Sequence, residues 1–187
     1  MVSIGPYHEK TNFKFMFDMT DLRGPNNKKK YINNINCNIN SNFSNFSNFS
    51  NFSITFILNN NPNFSIFNYI LNLSQLSGIY DNIQANFTLF VPENIFLNKV
   101  SNGVFTNLDI SSAHAIIKAS TLKQNITSSI LKDSPASYYT TEHSPTRLLI
   151  TNINNTTLIN NYTKILYQIE ASNGIIHVID SLLWPQI

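Results

Sequence analysis

Three observations in this sequence predict an α+β domain. Apolar residues recur at helical spacing soon after residue 53, the last third breaks into short β-rich segments separated by Asn and Gly, and helices dominate the earlier part while strands dominate the later. Helices first and strands later argue for an α+β domain with an antiparallel sheet. The chain has 187 residues, enough for one ordinary domain and an extension. Residues 1–52 hold six of the twelve basic side chains against three acids, whereas 53–187 hold six against seven. Only the second part is periodic, so the division falls at 52/53, with a low-complexity N-terminal extension ahead of the packed domain.

Within 53–187 the elements follow in order. Ile54 to Leu58 is a short apolar run, and after Asn59-Asn60-Asn61-Pro62 the residues Phe64, Phe67, Ile70, Leu71 and Ser74 place one stripe on a helix. A second short helix is expected over 76–83, set off by a break at Ser77-Gly78. Phe87 to Val91 is aromatic and β-branched and reads as a strand entering the core, stopped by Pro92. Asp109, with Ser111 and Ser112 after it, can cap a helix over about 112–120, built on Ala113, Ile116, Ile117 and Ala119. Residues 126–131 suggest a capped short helix. Strands are expected over 147–153, 156–159, 165–171 and 175–183.

Composition excludes several classes of function. Charged residues are 12%, about half the usual share, and uncharged Asn is abundant with 31 copies, so salt-bridge networks cannot be a main source of stability. A net charge of +2 is too small for an electrostatic footprint on nucleic acid. The single Cys37 forms no internal disulfide, and with four scattered histidines it supplies no metal set. No apolar stretch is long enough to span a membrane. Glu9, Lys10, Lys14, Asp18, Asp21 and Arg23 stand where a leader would need an unbroken apolar run, so no cleavable leader is expected from these residues. His8 with Glu9 reads as surface, and Lys28-Lys29-Lys30 as a solubilising run.

The tract from Asn42 to Ser53 is a fourfold Asn-Phe-Ser repeat with Phe43, Phe46, Phe49 and Phe52 in register. A period of three fits neither helix nor strand, so a flexible low-complexity linker is expected. Each unit is also an Asn-x-Ser glycan acceptor. Acceptors thus stand at Asn42, Asn45, Asn48, Asn51, Asn63, Asn72, Asn86, Asn125, Asn154, Asn155 and Asn161. This abundance of Asn, Ser and Thr yields about six acceptors by chance, and the repeat accounts for most of the excess. A glycosylated stalk is the sharper alternative to the plain linker.

Two distant segments carry a family resemblance. Thr88-Leu89-Phe90-Val91-Pro92-Glu93-Asn94-Ile95-Phe96 resembles the first signature of the fasciclin domain, T-x-F-A-P-T-N followed by an aromatic residue. Asn173-Gly174-Ile175-Ile176-His177-Val178-Ile179-Asp180, followed by Leu182-Leu183-Trp184-Pro185, resembles the closing signature N-G-x-x-H-x-I-D-x-x-L-x-P. The resemblance covers 53–187 and implies a β-wedge flanked by helices, used at cell surfaces and in matrix with protein or glycan partners. The matching residues Thr88, Phe90, Pro92, Asn94, Asn173, Gly174, His177, Ile179, Asp180 and Pro185 read as structural. Asn173-Gly174 suits a turn demanding positive φ, His177 between isoleucines suits a hydrogen-bonded core position, and Asp180 and Asn94 suit caps of neighbouring turns. One departure stands out: adhesive members carry a Tyr-His pair where this chain aligns Ala119-Ser120, which argues against direct integrin binding.

No catalytic, cofactor or metal residue is assigned. Candidate fragments are His143 beside Ser144, His114 near Ser111, and His177 with Asp180, and none lies in a G-x-S-x-G, H-E-x-x-H or phosphate-binding pattern. A hydroxyl within about 3 Å of His143 or His177 in a pocket would favour a hydrolase. The expected function is a non-enzymatic recognition or adhesion module, extracellular or at the cell surface by resemblance. The alternative is a structural surface or particle component self-associating through the Asn-Phe-Ser tract, with an intracellular or virion location.

Overall fold

The computed structural model describes residues 49–100 and 104–186. Cys37, His8 with Glu9, the Lys28–Lys30 run, the first units of the repeat and the acceptors Asn42, Asn45 and Asn48 lie outside the described residues, as does most of the expected extension.

The described chain opens with α1 (Ile54–Asn60), a 3-10 turn (Pro62–Phe64), α2 (Ser65–Leu73) and α3 (Ser77–Asp81). Ser53 caps α1 by accepting from Phe56 N and donates to Asp81 at 2.5 Å, which fixes the start of α1 against the end of α3. The Ser77-Gly78 pair does not break the chain as expected. It lies inside α3, where a side chain on Gly78 would meet nothing, and the interruption falls at Gln75, whose φ is +63°.

After β1 (Phe87–Pro92) come α4 (Asn94–Leu97), α5 (Ile110–Ala119), β2 (Thr121–Leu122), α6 (Ser128–Asp133) and β3 (Ser137–Thr140). Asp109 caps α5 by accepting from Ser112 N at 2.6 Å, a bond that holds its exposed carboxyl below the ordinary value. Thr127 caps α6 by accepting from Ile130 N. The chain closes with β4 (Arg147–Ile153), β5 (Thr156–Ile159), β6 (Thr163–Ala171) and β7 (Gly174–Ile179). The β4–β5 hairpin turns on Asn154 and Asn155 at φ +51° and +61°, the positive values that a two-residue turn of the primed type needs. Asn160 and Asn161, also at positive φ, turn β5 into β6. Turn chemistry therefore accounts for several of the asparagines that also read as glycan acceptors.

The seven strands form one sheet in the order β2-β1-β7-β6-β5-β4-β3. It is antiparallel except between its second and third strands, where β1 and β7 run parallel in continuous register from Phe87 opposite Gly174 to Pro92 opposite Ile179. The wholly antiparallel expectation is corrected there. Every residue of both strands is buried, the usual condition of parallel pairs. Pro92 does not lie beyond the end of β1 as expected but is its last paired residue.

Alternation along these strands divides the core. Leu89, Val91, Ile176 and Val178 face the helical layer of Ile54, Leu58, Phe67, Ile70, Ile116 and Ile117. Phe90 and Ile179 face the opposite way, into a second cluster with Leu122, Ile126, Leu131, Leu148, Ile150, Ile159 and Leu183. Phe49 and Phe52 of the last repeat units pack against the helical cluster, Phe52 O accepts from Ser172 N at 2.8 Å, and the Phe52 ring stacks on Phe56. The packed body thus begins ahead of Ser53. Lys123–Glu142 is the one ion pair among the described residues, as the scarcity of charge suggests.

Candidate functional site

The residues singled out from the two signatures come together around β1 and β7, and each spends its polar groups inside the fold. Asn173 is almost fully buried. Its Oδ1 accepts from Ile54 N at 2.9 Å while Nδ2 donates to Tyr80 O and Asn82 O at 2.7 and 3.0 Å, so one amide fastens the start of α1 to the end of α3. Gly174 follows at φ +151°, and a Cβ there would stand 2.1 Å from Phe87 O. Close approach of two main chains, as well as the φ, excludes every other residue.

Thr88 and His177 act on a common segment. Thr88 donates to Gln124 O at 2.7 Å and accepts from Ile126 N at 2.9 Å. The His177 ring, fully buried and stacked on Phe90, donates through Nε2–H to Ile126 O at 2.8 Å. Both thereby hold the loop that leads into α6. Burial lowers the His177 pKa to about 4, and its Nδ1 has no protein partner.

Asn94 caps from a distance. Its Oδ1 accepts from Ile66 N at 3.0 Å in the first turn of α2, while Nδ2 donates to Pro62 O and Ser65 Oγ. Asp180 accepts from Lys164 N at 2.8 Å and pins the start of β6. Ile179 and Phe90 fill the second cluster, Pro92 closes β1, and Pro185 lies in the irregular tail after β7.

The hydrolase fragments do not converge. His177 meets a carbonyl, not a hydroxyl. His143 Nδ1 lies 3.1 Å from Thr146 Oγ1, but that oxygen is buried and accepts from Gln186 N at 2.9 Å, so the trio ties down the tail. His114 lies on α5. Among the described residues no group of three or more His, Cys, Asp or Glu could hold a metal.

Ala119 and Ser120 are both fully buried, and Leu122 beside them fills the second cluster. Tyr80 reaches into the same region. Its phenol donates to Thr121 Oγ1 at 2.7 Å, Thr121 donates to Ile117 O, and burial holds the phenol well above its ordinary pKa. This buried relay, and the bond from the Tyr167 hydroxyl to Glu93 that joins β6 to the end of β1, were not legible in the sequence.

An open concavity, a cleft of about 380 Å³, lies between α6, β5 and β6. Sequence reasoning missed it, because its walls read as ordinary strands.

A seven-stranded sheet flanked by helices, with two distant signatures joined in its β1–β7 pair, defines an α+β module of the fasciclin type. The fasciclin domain profile matches residues 62–185, and the chain belongs to that family, whose domains are typically non-catalytic and adhesion-related. Among solved structures the chain is similar to a FAS1 domain pair from the insect cell adhesion molecule fasciclin I, with a TM-score of 0.61 and 21% identity. That match covers 71% of this chain and 50% of the other, so the chain spans half of the solved pair. No curated protein matches it.

Proposed function

We propose that this chain is a non-enzymatic recognition module that acts by surface contact, at a cell surface or in matrix, on a protein or glycan partner. The observation that carries the reading is the fate of the signature residues. Thr88, Asn94, Asn173, His177 and Asp180 direct their polar atoms into main-chain groups of the fold. What they leave for a partner is the surface. Direct integrin contact through the Tyr-His position is disfavoured, because Ala119 and Ser120 are inaccessible. The acceptors Asn51, Asn63, Asn72, Asn86, Asn125, Asn154, Asn155 and Asn161 are all exposed, which suits N-glycans if the chain enters a secretory route.

Beads coated with the whole chain should adhere to cells and be competed off by soluble chain. Equal adhesion by an albumin coat would sink the reading, and turnover of a fluorogenic ester panel would replace it with the hydrolase. Fractionation of the native protein with mass measurement tests location and glycans together. The second reading, self-association through the Asn-Phe-Ser tract, must rely on Phe43 and Phe46, since Phe49 and Phe52 already pack on the domain. An unchanged sedimentation coefficient for Phe43→Ser with Phe46→Ser rejects it.

A further inference from the structure

The sheet comes apart between β5 and β6. Their ladder has only two pairs, Leu158 with Lys164 and Ile159 with Thr163, although β5 begins at Thr156 and β6 runs on to Ala171. β6 also carries a register shift against β7 between Ile165 and Tyr167, just past the last pair with β5. Beyond it β6 stays paired to β7 as far as Ala171, and β5 stays paired to β4 back to Thr156. Each strand therefore keeps one neighbour and turns its other edge toward a gap. Helix α6 borders the gap, held by Ser128 N donating to Gln168 Oε1 and by Asn152 Nδ2 donating to Leu131 O, both at 2.7 Å. The 380 Å³ cleft lies there, lined by Ser128 and Lys132 of α6, Thr156 and Thr157 of β5, and Leu166 and Tyr167 of β6.

We propose that this cleft receives an extended peptide strand of a partner protein, paired through its main chain to the free edge of β6 and presenting an acidic side chain to Lys132. A strand edge without a ladder partner is a template for another strand, and alternate side chains of the incoming segment then set specificity. The charge argument selects the acid. Lys132 is the one ionic side chain in the lining, and it makes no ion pair among the described residues. Leu166 and Tyr167 are 44% and 45% exposed and offer apolar contact at the mouth. The volume falls in the range of ligand-sized clefts, and an extended segment of three residues would span about 10 Å of it. This assignment rests on the recognition reading and names its partner class.

The test uses the whole chain as bait for a phage-displayed library of random linear dodecamers. Enriched peptides should be acidic and shift the amide resonances of Thr156, Thr157 and Leu166–Gln168. Lys132→Glu should weaken them at least about tenfold, and Thr156→Trp, which fills the slot, should abolish them with folding verified by circular dichroism. No enrichment, a footprint elsewhere, or indifference to both substitutions overturns the proposal. Cell adhesion by the same variants separates the two ideas: adhesion that persists while no peptide enters the cleft removes only the cleft, whereas a wild-type chain that adheres to nothing removes the recognition reading itself.

Discussion

The β1–β7 centre and the β5–β6 wall are built from the same sheet on opposite principles. At the centre every residue is buried on both faces, the strands match residue for residue, and Thr88 and His177, one from each strand, hold the loop that leads into α6. At the wall the strands are only partly buried, share two pairs and then diverge. Local hydrogen-bonding need explains the contrast. A main chain closed in on both faces must satisfy its polar groups within the protein, whereas a strand edge open to water need not. The centre is the part of the domain fixed for stability, and the wall is where surface can vary.

Substitutions at the centre should cost far more than those at the wall, and the steps between them sharpen the contrast. Gly174→Ala should be the most damaging, because a Cβ 2.1 Å from Phe87 O forces the parallel pair apart. A loss of about 4 kcal/mol or failure to fold is expected, read as soluble yield and urea midpoint. Asn173→Ala strands three main-chain groups and should lower stability by about 3 kcal/mol in urea. Thr88→Val keeps shape but loses the bonds to Gln124 and Ile126, about 2 kcal/mol on the same scale.

Acid adds a readout specific to the centre. His177 takes up a proton near pH 4 when folded against 6.5 unfolded, so between those values the unfolded chain binds more protons. Its contribution should be complete above about pH 6.5 and fall by about 3 kcal/mol as pH drops to about 4. His177→Gln, which can still donate to Ile126 O, should flatten that part of the stability profile; an unchanged slope would place the titration elsewhere. Smallest of all, Lys123→Ala at the exposed Lys123–Glu142 pair should change stability by no more than about 0.5 kcal/mol and lose even that in high salt.

Much of the centre was legible because its residues carry local geometric demands. Asn-Gly announces a turn, Thr-Leu-Phe-Val a buried strand, and Asp109 the cap of a helix, which starts at Ile110, two residues ahead of the expected span. The parallel direction of β1 and β7 was not legible, since pairing between residues 87 and 174 depends on how the intervening chain returns. Nor were β2 and β3, two and four residues long, whose existence rests on partners and not on propensity. The cleft was hidden for a similar reason: Thr156–Ile159 and Thr163–Ala171 both read as strands, and only their two-pair ladder shows that they separate. Gly78 misled because it tolerates a helix that neighbouring contacts favour.

Native-state hydrogen exchange of the whole chain tests the division most directly. Amides of Leu89–Val91 and Ile176–Val178 should exchange only through global unfolding, with one shared opening free energy, while Thr156, Thr157 and the β5-facing amides of Leu166–Gln168 exchange at least about a hundredfold faster. Equal protection along both regions, or the slowest exchange at the wall, would contradict the account.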